Sequence, residues 1–562
     1  MAIGAFTFVL HSHLPYCRRA GRWPHGEEWI HEAASETYLP LLDQLFRLRG
    51  ARVPVRLTLG LTPVLVEQLA DPLVIANLED FLHERLDLAE ADVRRFERAG
   101  EPHLAAVATW YQDRFTHLLR LLTDEFGGQL IAAFKELEDA GLIEIATSAA
   151  THGYLPLMER DSTVWAQVAM GVRTHQRHFG RSPRSFWLPE CAYRPTFRKD
   201  GPAGPYVKPG LHWFLGQHGV RVFFVETHTI EGGTPVGKAM GDAIGPYGAI
   251  PRRYVVPPPE YVPPTMRTTY LPYWVEQADV AALGRNNRTG LQVWSAQHGY
   301  PGDFLYREFH KRDGLSGLHY WRVTGADVDL GAKQLWDPAA AFAQAQAHAD
   351  HFAGLVEDLL RAFYGEHGRF GVVAAAYDTE LFGHWWFEGI DWLAGVLERL
   401  ARNPNVRLTT AAAHVAEHPP EDVLVLPESS WGQGGGHFTW LNADTRWMWP
   451  VIHRLELQME ALAERYARAT GGVRLVVNQI AREALLAQSS DWPFLITTGQ
   501  ARDYAMDRFE THVERFDRLV ALLDHPERLG EALRLADEYW ELDKVFPDID
   551  VQLFARREPP VE

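Results

Sequence analysis

The feature that most constrains this chain is a series of short apolar runs that end abruptly in polar or charged residues. They occupy residues 5–10, 53–59, 143–147, 185–188, 220–225, 291–294, 371–376 and 406–409. Each reads as a strand, and most are separated by helical patterns or long loops. That alternation predicts an α/β fold of parallel strands. Polar residues directly at the strand ends favour a closed barrel, because catalytic groups gather at such ends.

At 562 residues the chain is too long for one ordinary core. Residues 72–140 turn helical and highly charged, and the pattern after residue 419 is almost entirely helical. The expected division is a barrel from 1–71 and 141–419, a helical insertion at 72–140 and a C-terminal helical domain at 420–562. Residues 200–210 and 231–264 are rich in Pro and Gly, and the run Val255-Val-Pro-Pro-Pro-Glu-Tyr cannot continue a helix or a central strand. These segments are expected to be loops over the barrel mouth, with Tyr247 embedded in Gly-Pro-Tyr-Gly.

Composition excludes several classes of function. No segment approaches the roughly 20 consecutive apolar residues of a membrane span, and the N-terminus lacks a basic leader, so a cytoplasmic protein is expected. A net charge of -18 opposes binding to nucleic acids and anionic membranes. Two cysteines, Cys17 and Cys191, exclude a disulfide framework. The 19 Trp and 19 Tyr suit stacking on sugar rings, although large cores also use Trp.

Four segments could carry chemistry. The first strand runs into His11-Ser-His13-Leu-Pro-Tyr16, a pair that could bind metal, hold a ligand or cap a strand. His152 follows the strand at 143–147. Phe186-Trp187-Leu-Pro-Glu190 sets a carboxylate among aromatics, and Tyr377-Asp378-Thr-Glu380-Leu-Phe-Gly-His384-Trp-Trp386 ends a late strand. Taken singly, each carboxylate reads as structural.

Taken in order, these segments resemble the motifs of glycoside hydrolase family 57, and among its members the 1,4-α-glucan branching enzymes. Trp187-Leu-Pro-Glu190 is similar to the motif that holds the family's nucleophile, and the Asp378 segment to the one that holds its acid/base. Ser430-Trp431-Gly, Trp440-Leu-Asn and Ser490-Asp491-Trp492 resemble the tryptophan-rich C-terminal region of the branching members. The resemblance implies a distorted seven-stranded (β/α) barrel with a helical insertion and a helical C-terminal domain. It also implies a retaining enzyme acting on α-glucan without metal or cofactor. In that scheme Glu190 is the nucleophile and Asp378 the acid/base. His11, His13, Trp29, His152, Tyr247, Trp294, His384, Trp431, Trp440, Asp491 and Trp492 bind substrate. The competing expectations are a 4-α-glucanotransferase or α-amylase of the same family, a metal-dependent carbohydrate deacetylase, and a catalytically silent glycan-binding protein.

Overall fold

The computed structural model describes residues 2–201, 204–235, 261–276, 278–295 and 299–557. Its strands are β1 (Gly4–Ser12), β2 (Leu57–Leu61), β3 (Ile143–Ser148), β4 (Ser185–Trp187), β5 (Phe197–Gly201), β6 (Gly204–Lys208), β7 (Val222–Val225), β8 (Tyr273–Val275), β9 (Ala281–Gly284), β10 (Gly371–Asp378), β11 (Val406–Leu408) and β12 (Val423–Leu424). The main sheet runs β10-β1-β2-β3-β4-β7-β9-β8-β12, with β11 beside β1. Its pairs are parallel except β8 with β9. From β10 to β9 the strands form the parallel body expected of the distorted barrel. Its closure is partial: the ladder between β9 and β10 is replaced by single bonds, from Asn286 N to the Ala374 carbonyl (3.0 Å) and from Val372 N to the Tyr270 carbonyl (2.9 Å). The sheet is therefore curled and open, which corrects the closed barrel expected above.

Period-two alternation sorts the strands into two faces. In β1 and β10, Phe6, Phe8, Leu10, Val373, Ala375 and Tyr377 face the outer helices, whereas Ala5, Val9, Val372, Ala374 and Ala376 face the interior. Outside lies the helix Pro338–His367, started by Asp337, whose carboxylate accepts from the N–H groups of Ala339 and Ala340, and ended by Gly368 in the left-handed region. It buries Ala341, Ala345, Ala349, Phe352, Val356 and Leu360, one face of a helical repeat. Phe352 stacks on Phe8 with ring centroids 6.1 Å apart.

Helices Pro72–Ala99, Pro102–Arg120 and Leu130–Asp139 fill the charged stretch. From Met448 onward the chain is helical, and its buried residues, among them Ile480, Trp492 and Phe509, join one apolar cluster with Ala5, Val9 and Ala376 of the sheet interior. No helix among the described residues is long and apolar enough to cross a membrane.

Three local expectations are corrected. Residues 291–294 end a helix, Asn287–Trp294, because the Asn286 side chain accepts from Thr289 N at 3.0 Å and nucleates it. A four-residue run with three apolar positions does not separate strand from helix. Part of the segment 200–210 belongs to the β5–β6 hairpin rather than a loop, and β8, β9 and β12 are strands that the apolar runs did not include.

Candidate active site

Register brings the first candidates together. His11 lies opposite Asp378 at the C-terminal ends of β1 and β10, each continuing the interior-facing parity of its strand. His152 follows β3 and Glu190 follows β4. Both adopt left-handed backbone, φ 54° and 60°, with Cys191 at 50°. Such geometry costs a non-glycine residue about 1 to 3 kcal/mol and persists where the surroundings impose it. Here Cys191 N bonds the Leu188 carbonyl (2.8 Å), Trp431 N the Glu190 carbonyl (3.1 Å), and Ser490 N the His152 carbonyl (3.2 Å).

The Glu190 carboxylate accepts the Trp431 indole N–H on Oε2 at 2.7 Å and the Ser490 hydroxyl on Oε1 at 3.3 Å. His152 Nδ1 is 3.9 Å from Oε1. His11 Nε2 sits 3.1 Å from His152 Nε2. The His11 ring stacks on Trp187 (4.8 Å) and His13 on His152 (3.9 Å).

His13 is held at both nitrogens, Nδ1 by Thr62 Oγ1 at 3.1 Å and Nε2 by Asp491 Oδ1 at 3.0 Å. Burial alone would lower its pKa, but Asp491, aided by Glu190 and Glu380, raises it above the ordinary histidine value. The stabilisation from this pair is fully present below the unfolded-state pKa of about 6.5 and fades as pH rises through the higher folded-state value. Asp491→Asn is accordingly expected to cost about 1 to 2 kcal/mol at pH 6 and clearly less at pH 9 in urea unfolding. Equal losses at both pH values would contradict a charged His13.

The loop after β10 is gripped by one π-helical turn, Ala34–Tyr38, a conformation frequent at functional sites. Thr37 Oγ1 donates to the Phe382 carbonyl (2.8 Å), the Tyr38 hydroxyl to the Glu380 carboxylate, and His384 Nδ1 bonds Glu36 Oε2 at 2.7 Å. Gly383 closes the fit at φ 95°, since a Cβ there would stand 1.9 Å from the Glu36 carbonyl oxygen. Arg307 Nη2 pairs with Glu36 Oε1 at 2.8 Å. Burial works to raise the Glu36 pKa, yet Arg307 and the bond to His384 hold it well below the carboxylate range. Glu380 goes the other way: burial raises it despite the bonds from Tyr38 and His13.

Part of this network opens on one cavity of about 370 Å³. Glu190 and Asp378 both line it, as do His11, His13, His152, His384 and Asp491. Trp29, Trp294, Trp431 and Trp440 supply aromatic walls, and Trp23, Phe309 and Trp385, which sequence reasoning missed, extend them. Trp440 stacks on Tyr154 at 4.3 Å. Trp492 does not reach the cavity. It is fully buried in the C-terminal core, its indole N–H bonded to the Leu486 carbonyl at 2.9 Å, and its place in the substrate-binding set is corrected to a packing role. Tyr247 lies outside the described residues.

Glu36 and Arg307 were also missed. No local pattern marks them, because their partners lie hundreds of residues away. Glu380, two residues after Asp378, and Ser490, beside Asp491, stood within quoted motifs but were not singled out.

Metal binding finds little support in the geometry. Both ring nitrogens of His13 are engaged, so the His11–His13 pair offers no shared ligand position. Among the described residues one group, Glu483, His512 and Asp543, is close enough to hold an ion. It lies in the helical core, however, with Arg515 bonded to Asp543 at 2.8 Å and Arg508 3.8 Å away, an arrangement of balanced ion pairs.

Both cysteines are buried, and burial raises the Cys17 thiol pKa. Iodoacetamide at pH 8 is expected to leave the native protein unlabelled and fully active, with both thiols reacting only in urea. Fast labelling with loss of activity would bring a cysteine into the mechanism.

The model of glycosyl hydrolase family 57 matches residues 7–427. The chain belongs to that family. A second model, 1,4-alpha-glucan branching enzyme, C-terminal, matches residues 451–554. A 1,4-alpha-glucan branching enzyme of Thermococcus kodakarensis is 41% identical over 99% of this chain and 79% of its own length. Its crystal structure aligns at a TM-score of 0.89, covering 99% of this chain and 98% of that one. The family 57 branching enzyme of Pyrococcus horikoshii aligns at 0.86 with 39% identity, covering 100% and 98%. An alpha-amylase of Thermotoga maritima aligns at 0.81 with 29% identity, covering 99% and 100%. The family read from the ordered motifs, and the mixed α/β architecture it implied, are thus borne out.

Proposed function

We propose that this family 57 protein is a 1,4-α-glucan branching enzyme that works by retaining double displacement. The observation that carries the reading is one aromatic-walled cavity lined by both Glu190 and Asp378. Its wall is completed by residues of the C-terminal region, part of which matches the branching-enzyme model.

In this mechanism the Glu190 carboxylate attacks the anomeric carbon of an α-1,4-linked glucose while Asp378 donates its proton to the departing glycosidic oxygen. The glycosyl-enzyme keeps the donor chain on Glu190. Asp378, now ionised, takes the proton of an incoming 6-hydroxyl, whose oxygen displaces Glu190 and forms the α-1,6 bond. His11 and His152, stacked beside Trp187 and His13, flank the reacting sugar, and Trp29, Trp294, Trp431 and Trp440 are placed to stack on its neighbours. Excluding water from the glycosyl-enzyme decides between branching and hydrolysis. The substrate on this reading is α-glucan, and a content of only two cysteines fits a reducing, cytoplasmic setting.

The 0.81 TM-score of the Thermotoga maritima alpha-amylase over the full chain favours hydrolysis as a second reading. Incubation with linear amylose separates the two. New α-1,6 proton NMR signal with few new free reducing ends supports branching. Reducing ends or redistributed α-1,4 chains without α-1,6 signal would sink it.

A further inference from the structure

Resting on the reading of Glu190 as the nucleophile, we propose that Ser490 is its positioning residue, the last link of a polarised hydrogen-bond chain running from His11 through His152 to the carboxylate. Three contacts define the chain: His11 Nε2 to His152 Nε2 at 3.1 Å, His152 Nδ1 to Ser490 Oγ at 2.9 Å, and Ser490 Oγ to Glu190 Oε1 at 3.3 Å.

Its direction follows from its end. An ionised carboxylate only accepts, so Ser490 spends its one proton on Glu190. The serine oxygen must then accept from His152, which places that ring's proton on Nδ1. His152 Nε2 is left as an acceptor, and His11 must carry its proton on Nε2. One tautomer of each histidine therefore satisfies all three contacts, and that pair of tautomers is the one that points a donor at the nucleophile. The Trp431 indole N–H on the other oxygen at 2.7 Å completes a two-sided grip, which orients the carboxylate and favours its charged form.

The C-terminal region delivers this serine as part of a three-residue insertion into the sheet mouth. Ser489 bridges Gly153 in antiparallel fashion, Ser490 N bonds the His152 carbonyl, and Asp491 engages His13. Ser490 is fully buried. The charged and titratable groups around Glu190 come from every element packed there: His11 in β1 and His13 just beyond it, His152 and Tyr154 beyond β3, Asp378 at the end of β10 and Glu380 beyond it, and Asp491. In Ser490→Ala these all remain, and the variant removes one hydroxyl, the donor to Glu190 and the acceptor from His152.

The test measures kcat, KM and the pH dependence of kcat/KM on amylose for the full-length protein and Ser490→Ala, with urea unfolding as the control for folding. Loss of the donor destabilises the carboxylate, so the acid limb is expected to move to higher pH by about one unit. The kcat should fall roughly tenfold to a hundredfold while KM stays within about twofold. An unmoved acid limb, whether or not kcat falls, overturns the proposal, because a purely structural serine would alter rate or stability without displacing that limb. Glu190→Gln is assayed alongside. If it turned over normally, the nucleophile reading itself would fail; an inert Glu190→Gln beside an unmoved Ser490→Ala profile removes only the role of Ser490.

Discussion

Glu190→Gln is expected to lower kcat on amylose by roughly four orders of magnitude or more, the scale on which removing a covalent nucleophile acts. Asp378→Ala should lose about 10²- to 10⁴-fold on natural glucan, the range of a general acid/base. Its losses should shrink on an aryl α-glucoside whose leaving group needs no proton. Azide separates the two roles by stereochemistry. In Glu190→Gly the small anion enters the space of the missing carboxylate and gives the inverted β-glucosyl azide in one displacement. In Asp378→Ala the glycosyl-enzyme still forms on Glu190, and azide attacks it from the other face to give the α-anomer. Mass spectrometry and NMR of the products read the outcome directly. The same anomer from both variants would exclude the proposed division of labour. Both side chains line one cavity, and register sets Asp378 opposite His11, so either loss should leave the fold intact.

Arg307→Met is expected to destabilise the protein by about 3 to 5 kcal/mol in urea unfolding, because it strands a carboxylate beneath the cleft. Arg307 is buried, pairs with Glu36 at 2.8 Å and lies over the Phe387 ring at 3.6 Å. Glu36 in turn holds His384. The Glu36 pKa lies below its unfolded value. The stabilisation of the ionised pair is therefore present above the unfolded carboxylate pKa of about 4.3 and declines as pH falls through the folded value. The penalty of Arg307→Met should accordingly be largest near neutral pH and smaller in acid. Adding Glu36→Leu removes the stranded charge and should recover part of the loss. A double variant no better than Arg307→Met would mean that packing on Phe387, rather than the ion pair, carries the cost.

Much of the catalytic frame was legible from local pattern. Alternation along residues 4–12 and 371–378 is visible in the chain itself, and it sets His11 and Asp378 on the inner face of whatever sheet forms. The strand-end placement of His152 and Glu190 was equally local. The run at 291–294 failed because four residues, Leu291-Gln-Val-Trp, fit a strand or a helix, and a side-chain cap at Asn286 decided between them. Closure of the barrel also escaped, since it depends on which backbone groups of β9 and β10 come within reach.

By itself, then, the sequence determined the strand-helix alternation, the inward parity of the strand-end acids and histidines, and the family whose motifs they form. Those are properties of residues a few positions apart. Only the tertiary structure decided that Trp440 lines the cleft while Trp492 is buried behind it, that Glu36 and Arg307 underpin His384, and that Ser490 touches Glu190 from 300 positions away. Such contacts have no local period, because they arise from how the helical C-terminal region packs into the sheet's open mouth, and packing is a property of the whole chain.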